Sequence, residues 1–111
     1  MCLTNNGNIR QNSFFELVNN GTIENNRKIT FAQNTMTNTG VIINNDSLII
    51  PNSGRINNNN QFTNGVAGKL INNGELWNFE TLTNAGVLQN NDFFKNKKTF
   101  AYIYKNFTPC L

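Results

Sequence analysis

The sequence predicts an all-β fold, a β-solenoid or parallel β-helix of stacked rungs with an aromatic C-terminal cap or docking strand. Three observations carry that expectation. One ten-residue template recurs six times, its fixed positions lie two residues apart, and Asn with Gly fills the places where the chain bends. A spacing of two is the period at which side chains of an extended chain return to one face.

The copies begin at Leu3, Leu17, Met36, Ile50, Leu70 and Leu82, and read LTNNGNIRQN, LVNNGTIENN, MTNTGVIINN, IPNSGRINNN, LINNGELWNF and LTNAGVLQNN. The first slot is a large aliphatic residue, the third Asn, the fifth Gly, the seventh Ile or Leu, and the ninth Asn or, once, Gln. Six of the eight glycines stand in the fifth slot, so composition alone does not explain the pattern. Ile and Val favour strands, and Asn-Gly richness opposes a long helix. A hydrophobe recurs six residues after the seventh slot, at Phe15, Ile29, Leu48, Phe62, Leu82 and Phe94, which bends the chain between short strands at hexad intervals.

Each slot has a physical task. Aliphatic residues stacked like over like fill the interior, each removed from water at roughly 25 cal/mol per Å² of apolar surface. Inward Asn5, Asn19, Asn38, Asn52, Asn72 and Asn84 are expected to form an amide ladder from rung to rung. Gly7, Gly21, Gly40, Gly54, Gly74 and Gly86 are expected at corners, where positive φ or close backbone approach excludes a Cβ. A lone Asn-Gly pair would read as a hairpin turn; six in matched register read as a solenoid. Successive copies are unevenly spaced, whereas alternate copies, from Leu3 to Met36 to Leu70 and from Leu17 to Ile50 to Leu82, follow at nearly equal steps. Those equal steps suggest a repeat of about 33 residues, as one wide rung or two of about 17.

The cadence Leu-x-Asn-x-Gly-x-Ile-x-Asn, as in LVNNGTIENN and LTNAGVLQNN, resembles that of filamentous-haemagglutinin-type adhesin β-helices over roughly residues 3–91. That resemblance implies a right-handed parallel β-helix with surface, adhesive or fibre-forming duties and no catalytic residues.

Composition divides the chain into Asn/Gly-rich repeats, 1–91, and a basic aromatic segment, 92–111, reading DFFKNKKTFAYIYKNFTPCL. Phe100, Tyr102 and Tyr104 alternate along a predicted strand, which would cap the last rung or dock on a neighbour. Outward Ile43 and Trp77 share the eighth slot in alternate copies, and are expected to stack into a lateral patch if the longer repeat is a rung. With Phe100, Tyr102 and Tyr104 they form the predicted lateral interface.

Function is bounded mainly by what the sequence lacks. With no His, every His-dependent catalytic or metal constellation is excluded, and no pair among the six carboxylates is marked for glycoside hydrolysis. No cofactor and no enzymatic role are expected. A charge of +3 is too slight to imply nucleic acid, and no apolar stretch suits a signal peptide or membrane insertion. Cys2 and Cys110 are inert thiols, an intermolecular disulfide or an intrachain bridge, the last needing ends closer together than an elongated solenoid holds them. The expectation is a structural subunit that polymerises head to tail with itself into a surface, spore or virion fibre. It would be placed extracellularly or on a particle or cell appendage, released without a signal peptide. The alternative is an adhesin-like module that binds surface carbohydrate.

Overall fold

A hexad with an aliphatic second residue and Asn fourth makes a short strand with two inward side chains, followed by a tight corner. Three such hexads close one triangular rung. The computed structural model describes residues 2–10, 17–31, 34–102 and 107–108, with side chains for all of these except 8–10, 102, 107 and 108. Among the described residues every regular element is a strand.

The first rung is β1 (Cys2–Asn5), β2 (Asn8–Arg10) and β3 (Leu17–Asn19). The second is β4 (Thr22–Asn25), β5 (Lys28–Thr30) and β6 (Thr35–Asn38). The third is β7 (Val41–Asn44), β8 (Ser47–Ile50) and β9 (Arg55–Asn58). The fourth is β10 (Gln61–Asn64), β11 (Lys69–Asn72) and β12 (Glu75–Asn78). The fifth is β13 (Thr81–Asn84), β14 (Val87–Asn90) and β15 (Phe93–Asn96), and β16 (Thr99–Tyr102) and β17 (Phe107–Thr108) begin a sixth.

Every third strand pairs in parallel, which makes the three faces of a prism. The first face is β1-β4-β7-β10-β13-β16, the second β2-β5-β8-β11-β14-β17 and the third β3-β6-β9-β12-β15. The chain is thus a parallel β-solenoid, and its faces continue past residue 91 through β15, β16 and β17. Strand register gives the rung length directly. Thr81 lies opposite Thr99 on a short rung, and Ser47 opposite Lys69 on a longer one. The register therefore excludes the wide repeat and lies near the narrow one that the template spacing suggested, a little longer than it. The ten-residue template crosses a corner, so its copies start on different faces, and their spacing mixes rung length with face.

The interior is three apolar columns, aliphatic except for Phe62. Ile23, Ile42, Phe62 and Leu82 stack on the first face, Ile29, Leu48, Leu70 and Leu88 on the second, and Met36, Ile56 and Leu76 on the third, all at 7% exposure or less. Each contributes about 1.5–3 kcal/mol by leaving water. Phe94 and Phe100 pack against the top of this core, edge to face with centroids 5.3 Å apart.

Beside the aliphatic columns run amide ladders, one at each corner. On the first face Asn5 donates its Nδ2 to Asn25 Oδ1, Asn25 to Asn44, Asn44 to Asn64 and Asn64 to Asn84, at 2.7–2.8 Å. On the third face Asn19, Asn38, Asn58, Asn78 and Asn96 do the same. The second face carries buried Phe31 and Ile50 in this slot, and only above them does Asn72 donate to Asn90. The ladders therefore include the ninth-slot residues Asn25, Asn44, Asn58, Asn78 and Asn90 as well as third-slot ones. No buried side-chain nitrogen or oxygen lacks a partner among the described residues.

Asn52 departs from the expectation. It is exposed in a turn, because the chain between β8 and β9 is widened to Pro51–Gly54, closed by Gly54 N–H on Pro51 O at 2.8 Å. Ile50 holds the ladder slot there, and the inward aliphatic of β8 is Leu48. The corner glycines also differ from one of the two reasons offered for them, since no described glycine has positive φ. Close approach is what excludes a side chain: a Cβ on Gly40 would strike the Gly21 carbonyl oxygen, and one on Gly74 the Gly54 and Pro51 oxygens. Gly7, on the first rung, has open space around it.

Candidate interaction surfaces

Two surfaces present chemistry that the fold does not consume. The first is the end at β1 and β3. Leu3 and Leu17 occupy the slot that Ile23 and Met36 fill one rung higher, yet they are 43% and 37% exposed where the latter are 7% and 0%. With Val18, 48% exposed, they line a cavity of about 320 Å³ that reaches Ile23. The ladders share this polarity. Each buried ladder bond runs from Nδ2 on the lower rung to Oδ1 on the upper, so Asn5 and Asn19 turn carbonyl oxygens toward the first-rung end. Those oxygens accept the N–H of Gly7 at 3.1 Å and of Gly21 at 3.2 Å, and no amide from below among the described residues. Cys2 is exposed and unpaired at the start of β1. Cys110 lies outside the described residues.

The second surface is the outer face of β12 and β15. Register places Glu75 between Arg55 and Phe93, and Trp77 between Asn57 and Lys95. Alternation along the strand turns all six outward. The Trp77 indole donates Nε1–H to Glu75 at 3.0 Å and meets Phe93 at 5.1 Å and Phe79 at 6.0 Å between centroids. The Arg55 guanidinium lies 4.5 Å from the indole centroid, and the Lys95 and Lys97 ammonium groups each 5.8 Å away. A neighbouring Lys98 is paired with Glu80 at 2.7 Å, the one ion pair among the described residues.

The predicted lateral interface does not assemble as expected. Ile43 is on the first face, in register with Glu24 and Thr63, whereas Trp77 is on the third. Their separation along the chain is not a whole number of rungs, so the two side chains lie on different sides of the prism. Phe100 points inward opposite Leu82 and joins the core. The Tyr102 backbone is opposite Asn84, its side chain is not described, and Tyr104 lies outside the described residues. Of the side chains in that set that are described, Trp77 alone belongs to the aromatic-cationic surface.

Sequence reasoning missed Arg55, Phe79, Phe93, Lys95 and Lys97 as its companions. The signal was available in the hexads: RINN, ELWN and FFKN are successive strands of one face, and writing them one above another brings most of these residues together. No protein-family model matches the chain, and neither a curated protein nor a solved structure matches it.

Proposed function

We propose that this chain is a structural subunit that stacks end to end on copies of itself. The observation that carries the reading is the first-rung end, where Leu3 and Leu17 remain in water although the rungs above bury their counterparts completely or nearly so. Another copy's last rung would cover them. The third-face ladder donates upward as far as Asn96, so a copy stacked head to tail would continue it into Asn19, while the first-face ladder ends at Asn84 opposite Tyr102; head-to-head contact would set carbonyl oxygen against carbonyl oxygen. Two unlike ends form a heterologous interface, and such an interface propagates into a fibre when its rotation does not close a ring. Parallel strand edges supply the backbone donors and acceptors.

Fibre duty at a surface, whether of a virion, a spore or a cell appendage, suits an amide-rich exterior over a closely filled core. An adhesin-like module that binds surface carbohydrate is the alternative to it.

Sedimentation and electron microscopy test it across protein concentration. Filaments are expected, with a reflection at about 4.8 Å along their axis from the rung spacing. Leu3→Asp and Leu17→Asp are expected to keep the β circular dichroism and lose the filaments, since a buried charge at the joint is costly. Single subunits at every concentration would reject the proposal and leave the fold standing.

A further inference from the structure

Three cationic groups converge on one indole. Arg55, Lys95 and Lys97 lie 4.5, 5.8 and 5.8 Å from the Trp77 centroid, and none forms an ion pair among the described residues. The π face of Trp77 attracts each of them, at about 0.5–1 kcal/mol for an exposed site. Their mutual repulsion acts against that, and the nearby Glu75 carboxylate is one charge against three. An anion between them would relieve the excess. Arg55 uses Nε on Asn57 Oδ1 at 2.8 Å, which leaves its two terminal nitrogens to donate to such a ligand.

Beside the cations are flat apolar surfaces, Phe93 at 40% exposure and half-buried Phe79 and Trp77. A ligand for this site therefore combines acid groups with ring faces. Two polymers do so, acidic polysaccharide and single-stranded nucleic acid. Nucleic acid carries a phosphate at every nucleotide and is held by a basic track along the strand. Here the cations form one cluster with Glu75 inside it, and the face continues downward through neutral Asn57, Thr37 and Thr35. A sugar chain suits that mixture, with acid groups on the cations, C–H faces on Phe93 and hydroxyls toward Glu75 and the neutral residues.

We infer that this face binds an acidic polysaccharide, with Arg55, Lys95 and Lys97 holding its carboxylate or sulfate groups around Trp77 and Phe93 as the ring platform. The site is lateral, so it operates whether or not subunits stack.

The chain has a single Trp, which makes its emission a direct readout. The experiment titrates the full chain with oligogalacturonate, a heparin oligosaccharide, a neutral cello-oligosaccharide and oligothymidylate, following Trp77 fluorescence and heat. One or both acidic oligosaccharides are expected to shift the emission, and which of them binds tells carboxylate from sulfate. Lys95→Gln and Lys97→Gln, both exposed and outward, are each expected to weaken binding about tenfold, the loss of one charge-assisted hydrogen bond. Added salt should weaken it as well. Equal binding of the neutral oligosaccharide, tighter binding of oligothymidylate, no binding by either acid, or indifference to both lysine changes would each overturn the inference.

Discussion

An Asn in this protein is either a ladder residue or a surface residue, and the two differ in energy more than in appearance. Asn44 is fully buried and accepts from Asn25, donates to Asn64, and also donates to the Asp46 carbonyl at 2.8 Å. Asn44→Ala would remove the acceptor of one Asn25 N–H and the donor to Asn64 Oδ1, and is expected to cost about 2–4 kcal/mol in urea unfolding. Asn52→Ala, at an exposed turn, is expected to cost about 0.5 kcal/mol or less. Equal effects would show that the amide columns contribute nothing as a ladder. Glycine divides in the same way. Gly74→Ala forces a Cβ onto backbone oxygens that cannot swing aside, and is expected to cost about 1–3 kcal/mol. Gly7→Ala meets open space at a φ that is not positive, and is expected to stabilise by about 0.5 kcal/mol through the unfolded chain. Thermal melts of the two variants should move in opposite directions.

At the scale of the strand, the fold is a hexad with exceptions confined to its corners. Corner backbone bonds run from an upper N–H to a lower carbonyl, as from Asn45 to Asn25 and from Ala85 to Asn64, while the buried side-chain amides beside them run the opposite way. The two sets of dipoles offset each other, which lets a polar column stand next to an apolar core. Where a corner is widened, the rung above adapts with a glycine: Gly74 lies over the Pro51–Gly54 turn and Gly86 over Gly65–Gly68. Removing Pro51 and Asn52 would leave Ser53-Gly54, the same length as Asn73-Gly74 one rung higher. That deletion is expected to keep the fold and change stability by about 1 kcal/mol or less, read from circular dichroism and the melting temperature. Loss of the β spectrum would mean that the wide turn is structural. These corners also set how much was legible in sequence. The inward faces were readable because alternation of Leu70, Asn72, Leu76 and Asn78 is local, and all four are fully buried. Rung length was not, because insertions at Pro51–Gly54 and Gly65–Gly68 shift the register, and Ile50 in a ladder slot imitates the first position of a repeat. Trp77 was visible as an outward aromatic, but all three of its cationic companions come from two other rungs, and an undecided rung length hides such neighbours.

For the whole molecule, the proposed stacking asks how one short prism would be joined to the next. Charged residues are only 14% of the chain, so electrostatic repulsion between copies would be weak, and the proposed association rests on end-to-end geometry. In a head-to-tail stack, the first rung of one copy lies over the last strands of another. Exposed Cys2 on β1 would then meet the end that bears β16, and Cys110 follows β16 closely in the chain. A disulfide needs its two Cα atoms about 4.4–6.8 Å apart, a separation that stacking can provide between copies. Such bonds persist in an oxidising setting, as expected for a fibre at a particle or cell surface. The oxidised protein should therefore run as a ladder of multiples in non-reducing electrophoresis and collapse to one band with reductant. Cys2→Ser and Cys110→Ser should each abolish the ladder, yet leave filaments visible by microscopy, since the apolar joint and the amide columns do not depend on sulfur. A single fast-migrating band in the oxidised wild type would instead identify a bridge within one chain and refute the covalent joint. Filaments that vanish in the serine variants would show that the disulfide, and not the stacked rungs, holds the assembly together.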